Sequence, residues 1–200
     1  KKNLIIFFPS FEKGGVANIL QNLMKSQYSE KFIIHIVSSK NLLNTIGTHK
    51  KKFHFYPVTR KINIPFFPPR YESALNGMFV LISLLKKLKE KMIVHSMQSN
   101  VAAIIACILE GKKIIIRNSE DPIYSTINTE NKFFGWLTFC LKLLFYNFTD
   151  GIITNSKGSA NSLKYFVFNK KKIYQIYNPY LKKINFDIKK KHKCIFCIRF

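Results

Sequence analysis

The stretch Gly151-Ile152-Ile153-Thr154-Asn155-Ser156-Lys157-Gly158-Ser159-Ala160, followed by Ile176-Tyr177-Asn178-Pro179, constrains this chain more than any other feature. A short apolar run meets a capping residue (Asn155 or Ser156), a helical segment follows, and a second strand-like run stops at a proline. Short apolar runs bounded by turn residues and alternating with helical segments are the signature of βαβ units and a parallel sheet. The alternation covers most of the chain. Strands are expected over Leu4–Phe8, Phe32–Val37, Phe53–Val58, Met92–His95, Lys113–Arg117, Gly151–Thr154 and Ile173–Tyr177. Helices are expected from Gly15 to about Tyr28, Ser73 to Lys89, Asn100 to Leu109, Phe133 to Phe148 and Ser156 to Phe166. The run Ile64-Pro65-Phe66-Phe67-Pro68-Pro69-Arg70 excludes helix and central strand, and Asn118 to Asn131 reads as a long polar loop. The implied fold is α/β: a doubly wound, Rossmann-like parallel sheet with right-handed crossovers, whose ligands sit beyond the carboxyl ends of the strands.

The reading divides the chain into a domain over residues 1–180, a lysine-rich linker over 181–193, and, from Cys194, the first strand of a further domain over 194–200. On that reading the chain is part of a longer protein. The 33 basic residues stand against 10 acidic ones, a formal net charge of +23. Four of the basic residues are arginines (Arg60, Arg70, Arg117, Arg199). Nucleic-acid readers favour the guanidinium fork, and the lysines here are scattered rather than striped, so no nucleic-acid partner is expected. A lysine surplus suits attraction to an anionic membrane surface. The cysteines, Cys107, Cys140, Cys194 and Cys197, include one Cys-x-x-Cys without a second ligand pair, inside an apolar run. Reduced thiols, a cytoplasmic location and no bound metal are the expectation. Leu4–Phe8 is too short for a secretory leader. Phe133–Phe148 is too short for a bilayer span and is expected to pack on the sheet, the alternative being an aromatic face dipped into a headgroup layer.

Three places carry polar side chains suited to chemistry. At the first strand-to-helix turn, Gly14 and Gly15 allow close backbone approach, and the free N–H groups of the helix start suit an anion such as a diphosphate. A turn without a ligand is the alternative, since neither a third glycine nor a Gly-Lys-Ser/Thr follows. His95 ends a strand, where it is either structural or catalytic. The loop Arg117-Asn118-Ser119-Glu120-Asp121-Pro122 gathers a guanidinium, an amide and two carboxylates. It could hold sugar hydroxyls, position a base, or bind an acceptor phosphate; alternatively Asp121-Pro122 merely caps a helix. No Gly-x-Ser-x-Gly elbow or His-Glu-x-x-His helix is present, which removes the common hydrolases and zincins.

Taken together, the Phe-Pro-Ser…Gly-Gly-Val-Ala-Asn opening, the Arg117–Pro122 loop, Asp150–Gly158 and Ile176–Pro179 resemble the amino-terminal half of a GT-B fold glycosyltransferase of the family 4 type. The similarity is greatest to members acting on lipid-linked oligosaccharide, lipopolysaccharide or capsule. The resemblance implies a hexosyl- or N-acetylhexosaminyl-type transferase taking a UDP- or GDP-sugar as donor and a saccharide or polyprenyl-diphosphate-linked acceptor. It implies retaining, metal-independent transfer without a cofactor, at the inner face of the membrane. Gly14 and Gly15 would meet the donor diphosphate. Glu120 and His95 would be catalytic, and Arg117, Asn118 and Asp121 would bind acceptor. Asn155, Ser156, Asn178 and Arg199 would line the hinge and cleft. Ile198-Arg199-Phe200 stands where such proteins commonly have Gly-Arg-Leu. Alone, the chain is expected to bind weakly and turn over nothing. For membrane contact, Phe66-Phe67 or the Ser73–Lys89 helix would supply aromatics. The alternatives are a GT-B fold sugar-nucleotide epimerase and a basic, non-catalytic or nucleic-acid-binding protein.

Overall fold

Leu4–Phe8 and Ile114–Ile116 are unbroken apolar runs, as expected of strands covered on both faces by helices. The computed structural model describes residues 2–10, 15–25, 31–39, 53–59, 68–88, 90–128 and 131–178. Within them the order is β1 (Lys2–Phe8), α1 (Gly15–Lys25), β2 (Phe32–Ser38), β3 (Phe53–Pro57), α2 (Pro69–Lys87), β4 (Met92–Ser96), α3 (Asn100–Leu109) and β5 (Lys113–Asn118). Then come α4 (Pro122–Ile127), α5 (Lys132–Phe145), β6 (Gly151–Thr154), α6 (Lys157–Leu163) and β7 (Ile173–Gln175). The seven strands form one sheet in the order β3-β2-β1-β4-β5-β6-β7, every neighbouring pair parallel. Strand order reverses between β1 and β4, so the crevice for a ligand opens beyond Phe8 and Ser96.

Strand parity divides the core in two. On one face Ile5, Phe7, Val94, Ile114, Ile116 and Ile152 pack with Leu81, Leu84 and Leu85 of α2 and Ala103, Ile104 and Cys107 of α3. On the other, Ile6, Phe8, Ile34 and Ile36 pack under Ala17, Leu20 and Met24 of α1. Each large side chain so buried contributes roughly 1.5–3 kcal/mol. Gly77 lets α2 cross hard against the end of β1: a Cβ there would stand 2.5 Å from Pro9 Cβ and 3.1 Å from Phe7 Cζ.

Several boundaries differ from expectation for local reasons. Pro69 does not stay in the proline-rich loop but opens α2, because the first helical position needs no N–H donor. Within the expected loop after β5, Asp121 Oδ1 accepts from Ile123 N at 2.9 Å and Tyr124 N at 3.0 Å and starts the short helix α4. Of the two cap candidates before α6, Ser156 does the work, accepting from Ser159 N at 3.1 Å. The largest difference is α5. It does not lie on the sheet but packs chiefly against α4 and α3, and Gly135 is its one buried residue. Residues 64–67, the linker and the 194–200 run lie outside the described residues.

Candidate functional site

Strand alternation separates Arg117 from Asn118. His95 pairs in register with Ile115, and Arg117 lies two residues on, so His95 and Arg117 share one face of the sheet. Asn118 points to the other face. On the first face Arg117 is 6% exposed and its Nη2 donates to Asn178 Oδ1. Burial, and then the nearby Arg117 charge, push the His95 imidazole down to about 4, so it is neutral at pH 7. A neutral imidazole can accept a hydrogen bond or take a proton from a hydroxyl, although so low a pKa makes it a weak base.

On the second face a polar network joins four elements. Ser96 Oγ donates to Asn100 Oδ1 at 2.8 Å, and Asn100 Nδ2 donates to the Arg117 carbonyl at 2.9 Å and to Tyr146 Oη at 3.3 Å. Tyr146 Oη donates to Asn118 Oδ1 at 3.2 Å, and Asn118 Nδ2 donates to Ser159 Oγ at 3.0 Å. Asn118 Nδ2 and Ser159 Oγ also both donate to the Glu120 carbonyl. The loop that carries Glu120 is thereby tied to β5 and to the start of α6, while the Glu120 side chain is left exposed. Burial raises the Tyr146 phenol to about 12, so it acts here as a neutral donor and acceptor. Asp121 has both oxygens engaged: Oδ1 caps α4 and Oδ2 accepts from Ser162 Oγ. Burial works against its charge, but those bonds and Lys142 hold its pKa below the usual value.

Between these strand ends and helices α2, α3 and α5 lies a cavity of about 380 Å³. Arg70, Arg117 and Lys142 bring positive charge to its wall, Glu120 and Ser119 also line it, and Leu75, Met78, Ile105, Leu137 and Leu141 supply apolar lining. Burial lowers the Lys142 pKa and Arg70 adds to that, while Glu120 and Asp121 favour its charged form. Ser119 Oγ is buried without a hydrogen-bond partner among the described residues, and an orphaned hydroxyl on a cavity wall suits a polar ligand group. Ser99, also on the wall, has φ +54°, in the left-handed region rarely used by residues other than glycine. The lining offers cations to an anionic group and apolar side chains to a hydrocarbon part of the same ligand. A second cleft of about 590 Å³ between β3 and α2 has no acidic residue in its lining and lies away from this network.

The remaining expected site residues are dispersed. Gly15 is the exposed first residue of α1, at the switch point, where Ser10 Oγ donates to Gln98 Oε1 at 2.8 Å across the crevice. Asn155 is half-buried between β6 and α6. Gly14 and Arg199 lie outside the described residues. Sequence reasoning missed Arg70, Asn100, Lys142 and Tyr146. One signal was present: Lys142 interrupts an otherwise apolar helix, a position where a charge needs a reason. Among the described residues no group of three or more His, Cys, Asp and Glu side chains is placed to hold a metal ion.

No protein-family model matches the sequence, and no curated protein matches it. Solved structures do match. HepE of Anabaena in complex with UDP-glucose is 12% identical, with 89% of this chain on 44% of that one and a TM-score of 0.59. A ugt transferase from Siraitia grosvenorii in complex with UDP is 10% identical, with 88% on 50% and a TM-score of 0.61. UDP-GlcNAc 2-epimerase from Neisseria meningitidis bound to UDP-GlcNAc is 15% identical, with 88% on 45% and a TM-score of 0.53. The chain thus spans half the length of these structures or slightly less. At such identities the likeness is one of fold, that of a Rossmann-like half of a GT-B protein.

Proposed function

We propose that this chain is the acceptor-side half of a glycosyltransferase of the family 4 type. It would act with a nucleotide-sugar domain on a UDP- or GDP-sugar and a saccharide or polyprenyl-diphosphate-linked acceptor, at the cytoplasmic face of the membrane. The observation that carries the reading is the cavity at the ends of β4 and β5, whose lining combines a cationic set (Arg70, Arg117, Lys142) with an apolar set of side chains. A phosphate-bearing amphiphile matches both sets, whereas a soluble nucleotide sugar has no use for the apolar one. The related fold of enzymes that bind UDP and UDP-sugars supports the donor class.

In the proposed reaction an acceptor hydroxyl forms a new bond to the anomeric carbon on the same face from which the donor diphosphate departs, as the bond to that diphosphate breaks, so that configuration is retained. The nucleoside diphosphate leaves with the electron pair. The hydroxyl proton passes to the Glu120 carboxylate, whose loop is fixed by Asn118 and Ser159, or onward to the departing phosphate. His95 lies on the other face of the sheet from the cavity, and would accept a hydrogen bond from the acceptor only where its reacting end crosses into the crevice. Gly14 and Gly15, before α1, would meet the diphosphate, and Arg117 with Asn178 would flank the cleft, so that preorganised donors stabilise the developing charge. Retaining, metal-independent transfer of a hexosyl or N-acetylhexosaminyl group is the chemistry proposed.

The test is nucleoside diphosphate release by the full-length protein from a panel of UDP- and GDP-sugars, with and without membrane extract. Extract-dependent release from one donor is expected. Conversion of a UDP-sugar into its 2-epimer would establish the epimerase reading instead. Glu120→Gln should lower the rate by about 10²-fold or more; undiminished transfer would remove Glu120 from the mechanism.

A further inference from the structure

The helix α5 carries an apolar face outward. Its exposed positions, Phe133, Trp136, Leu137, Cys140 and Leu144, follow the spacing of a single helical stripe, and Phe148 extends it past the helix end. Phe133 is 73% exposed, Trp136 63% and Leu144 58%. The inward side is apolar as well, with Phe134, Phe139, Leu141 and Phe145 half-buried, and it also carries the polar contacts of the helix. Tyr71 Oη bonds Thr138 Oγ1 at 2.9 Å, and Lys142 reaches the cavity. No described residue covers the stripe. At its far end the Phe166 ring packs on Phe139 and Tyr146, and Phe168 N donates to Asn147 Oδ1 at 2.9 Å. That contact holds Tyr165 and Phe168, 85% and 88% exposed, beside the helix. Exposed lysines flank these segments in the chain: Lys132 opens α5, and Lys164, Lys170 and Lys171 stand on either side of Tyr165 and Phe168.

We infer that this face of α5 docks onto an anionic lipid bilayer, with the helix lying in the plane of the headgroups. The charge pattern selects the occupant. A second copy would bring the same lysines and the same +23 charge against each other. An anionic surface attracts each lysine by about 1 kcal/mol and accepts tryptophan, tyrosine and phenylalanine at its interface. Among the described residues no helix is long and apolar enough to cross a membrane. The 14 residues of α5 extend about 21 Å, short of a hydrocarbon core of about 30 Å, so an interfacial helix is the geometry that fits. Neither Phe66-Phe67 nor the α2 helix is needed for docking. Leu137 belongs to both the stripe and the cavity wall, so docking would set the cavity beside the bilayer, where a lipid-linked acceptor enters sideways. That consequence, and the membrane setting, rest on the proposed function; the docking face stands or falls by itself.

Trp136 is the sole tryptophan of the chain and reports on this face directly. Purified protein is mixed with phosphatidylglycerol-rich vesicles and with phosphatidylcholine vesicles, and co-sedimentation and tryptophan emission are followed. Binding to the anionic vesicles is expected, with a blue shift and quenching by brominated lipid chains. Phe133→Ser combined with Leu144→Ser should weaken partitioning about tenfold or more while leaving the far-UV circular dichroism unchanged, since both side chains are exposed. Binding without a shift would place docking on another face, and no binding to either vesicle would refute docking altogether. A shift that grows with protein concentration in the absence of lipid would give the face to a second copy. None of these readouts depends on glycosyl transfer, so loss of the catalytic proposal and loss of the docking face are separately visible.

Discussion

Substituting Gly77 by alanine tests how the switch point is built. An ideal Cβ at position 77 lies 2.5 Å from Pro9 Cβ, about 1–1.5 Å inside the ordinary carbon–carbon contact of about 3.5–4.0 Å. The atoms opposite are a proline ring and the Phe7 ring at 3.1 and 3.2 Å, neither of them a side-chain tip that can swing away. Phe7 is fully buried. Helix α2 must therefore lift from β1, at an overpacking cost of about 3 kcal/mol, the upper part of the usual range. Alanine is favoured over glycine in a helix interior by about 1 kcal/mol, which leaves a net loss of about 2 kcal/mol. With a urea m-value of about 2 kcal/mol/M for a chain of this size, the unfolding midpoint should fall by about 1 M, read by far-UV circular dichroism because Trp136 is exposed. Gly158→Ala is the matched control. It lies in α6 with nothing within 4 Å of the added carbon, so stability should hold or rise by up to about 1 kcal/mol. If Gly77→Ala is as stable as Gly158→Ala, the close crossing of α2 over the end of β1 is refuted.

Two further outcomes follow from buried polar groups. His95 and His35 both have pKa values lowered to about 4, by burial first and then by Arg117 and His54 respectively. Between the unfolded value near 6.5 and that folded value, the unfolded chain binds the protons. Stability should therefore be intact above about pH 6.5 and fall as the pH drops toward 4, with His95 alone accounting for up to about 3 kcal/mol; His95→Gln should flatten this acid limb. Asp121→Ala removes the cap of α4 and the acceptor for Ser162 and should cost about 1–2 kcal/mol in urea unfolding, whereas Asp121→Asn, which keeps a capping oxygen, should retain most of the stability.

The sequence by itself determined the alternation of strands and helices and, from it, a doubly wound parallel sheet with ligands beyond the carboxyl ends of its strands, while the strand order put the crevice between β1 and β4. The elements are local matters: apolar runs at Leu4–Phe8 and Ile114–Ile116, the largely apolar Phe32–Val37, helical spacing from Asn100 to Leu109, and a capping residue at position 155 or 156 can each be read within a dozen residues. Helix starts were less legible where two local rules compete, as at Pro69, which breaks a helix interior but suits its first position. Tertiary structure alone decided what meets. Arg117 and Asn118 are neighbours in the chain, yet parity sends one toward His95 and Asn178 and the other into the network of Tyr146, Asn100 and Ser159. Arg70, Glu120 and Lys142 share one cavity only because the crossovers bring α2, α5 and the end of β5 to the same place. An apolar helix such as α5 carries no mark in its sequence saying whether its stripe faces a sheet, a cavity or a bilayer. Hydrophobicity is non-directional, and which surface it covers depends on where the rest of the chain has left room.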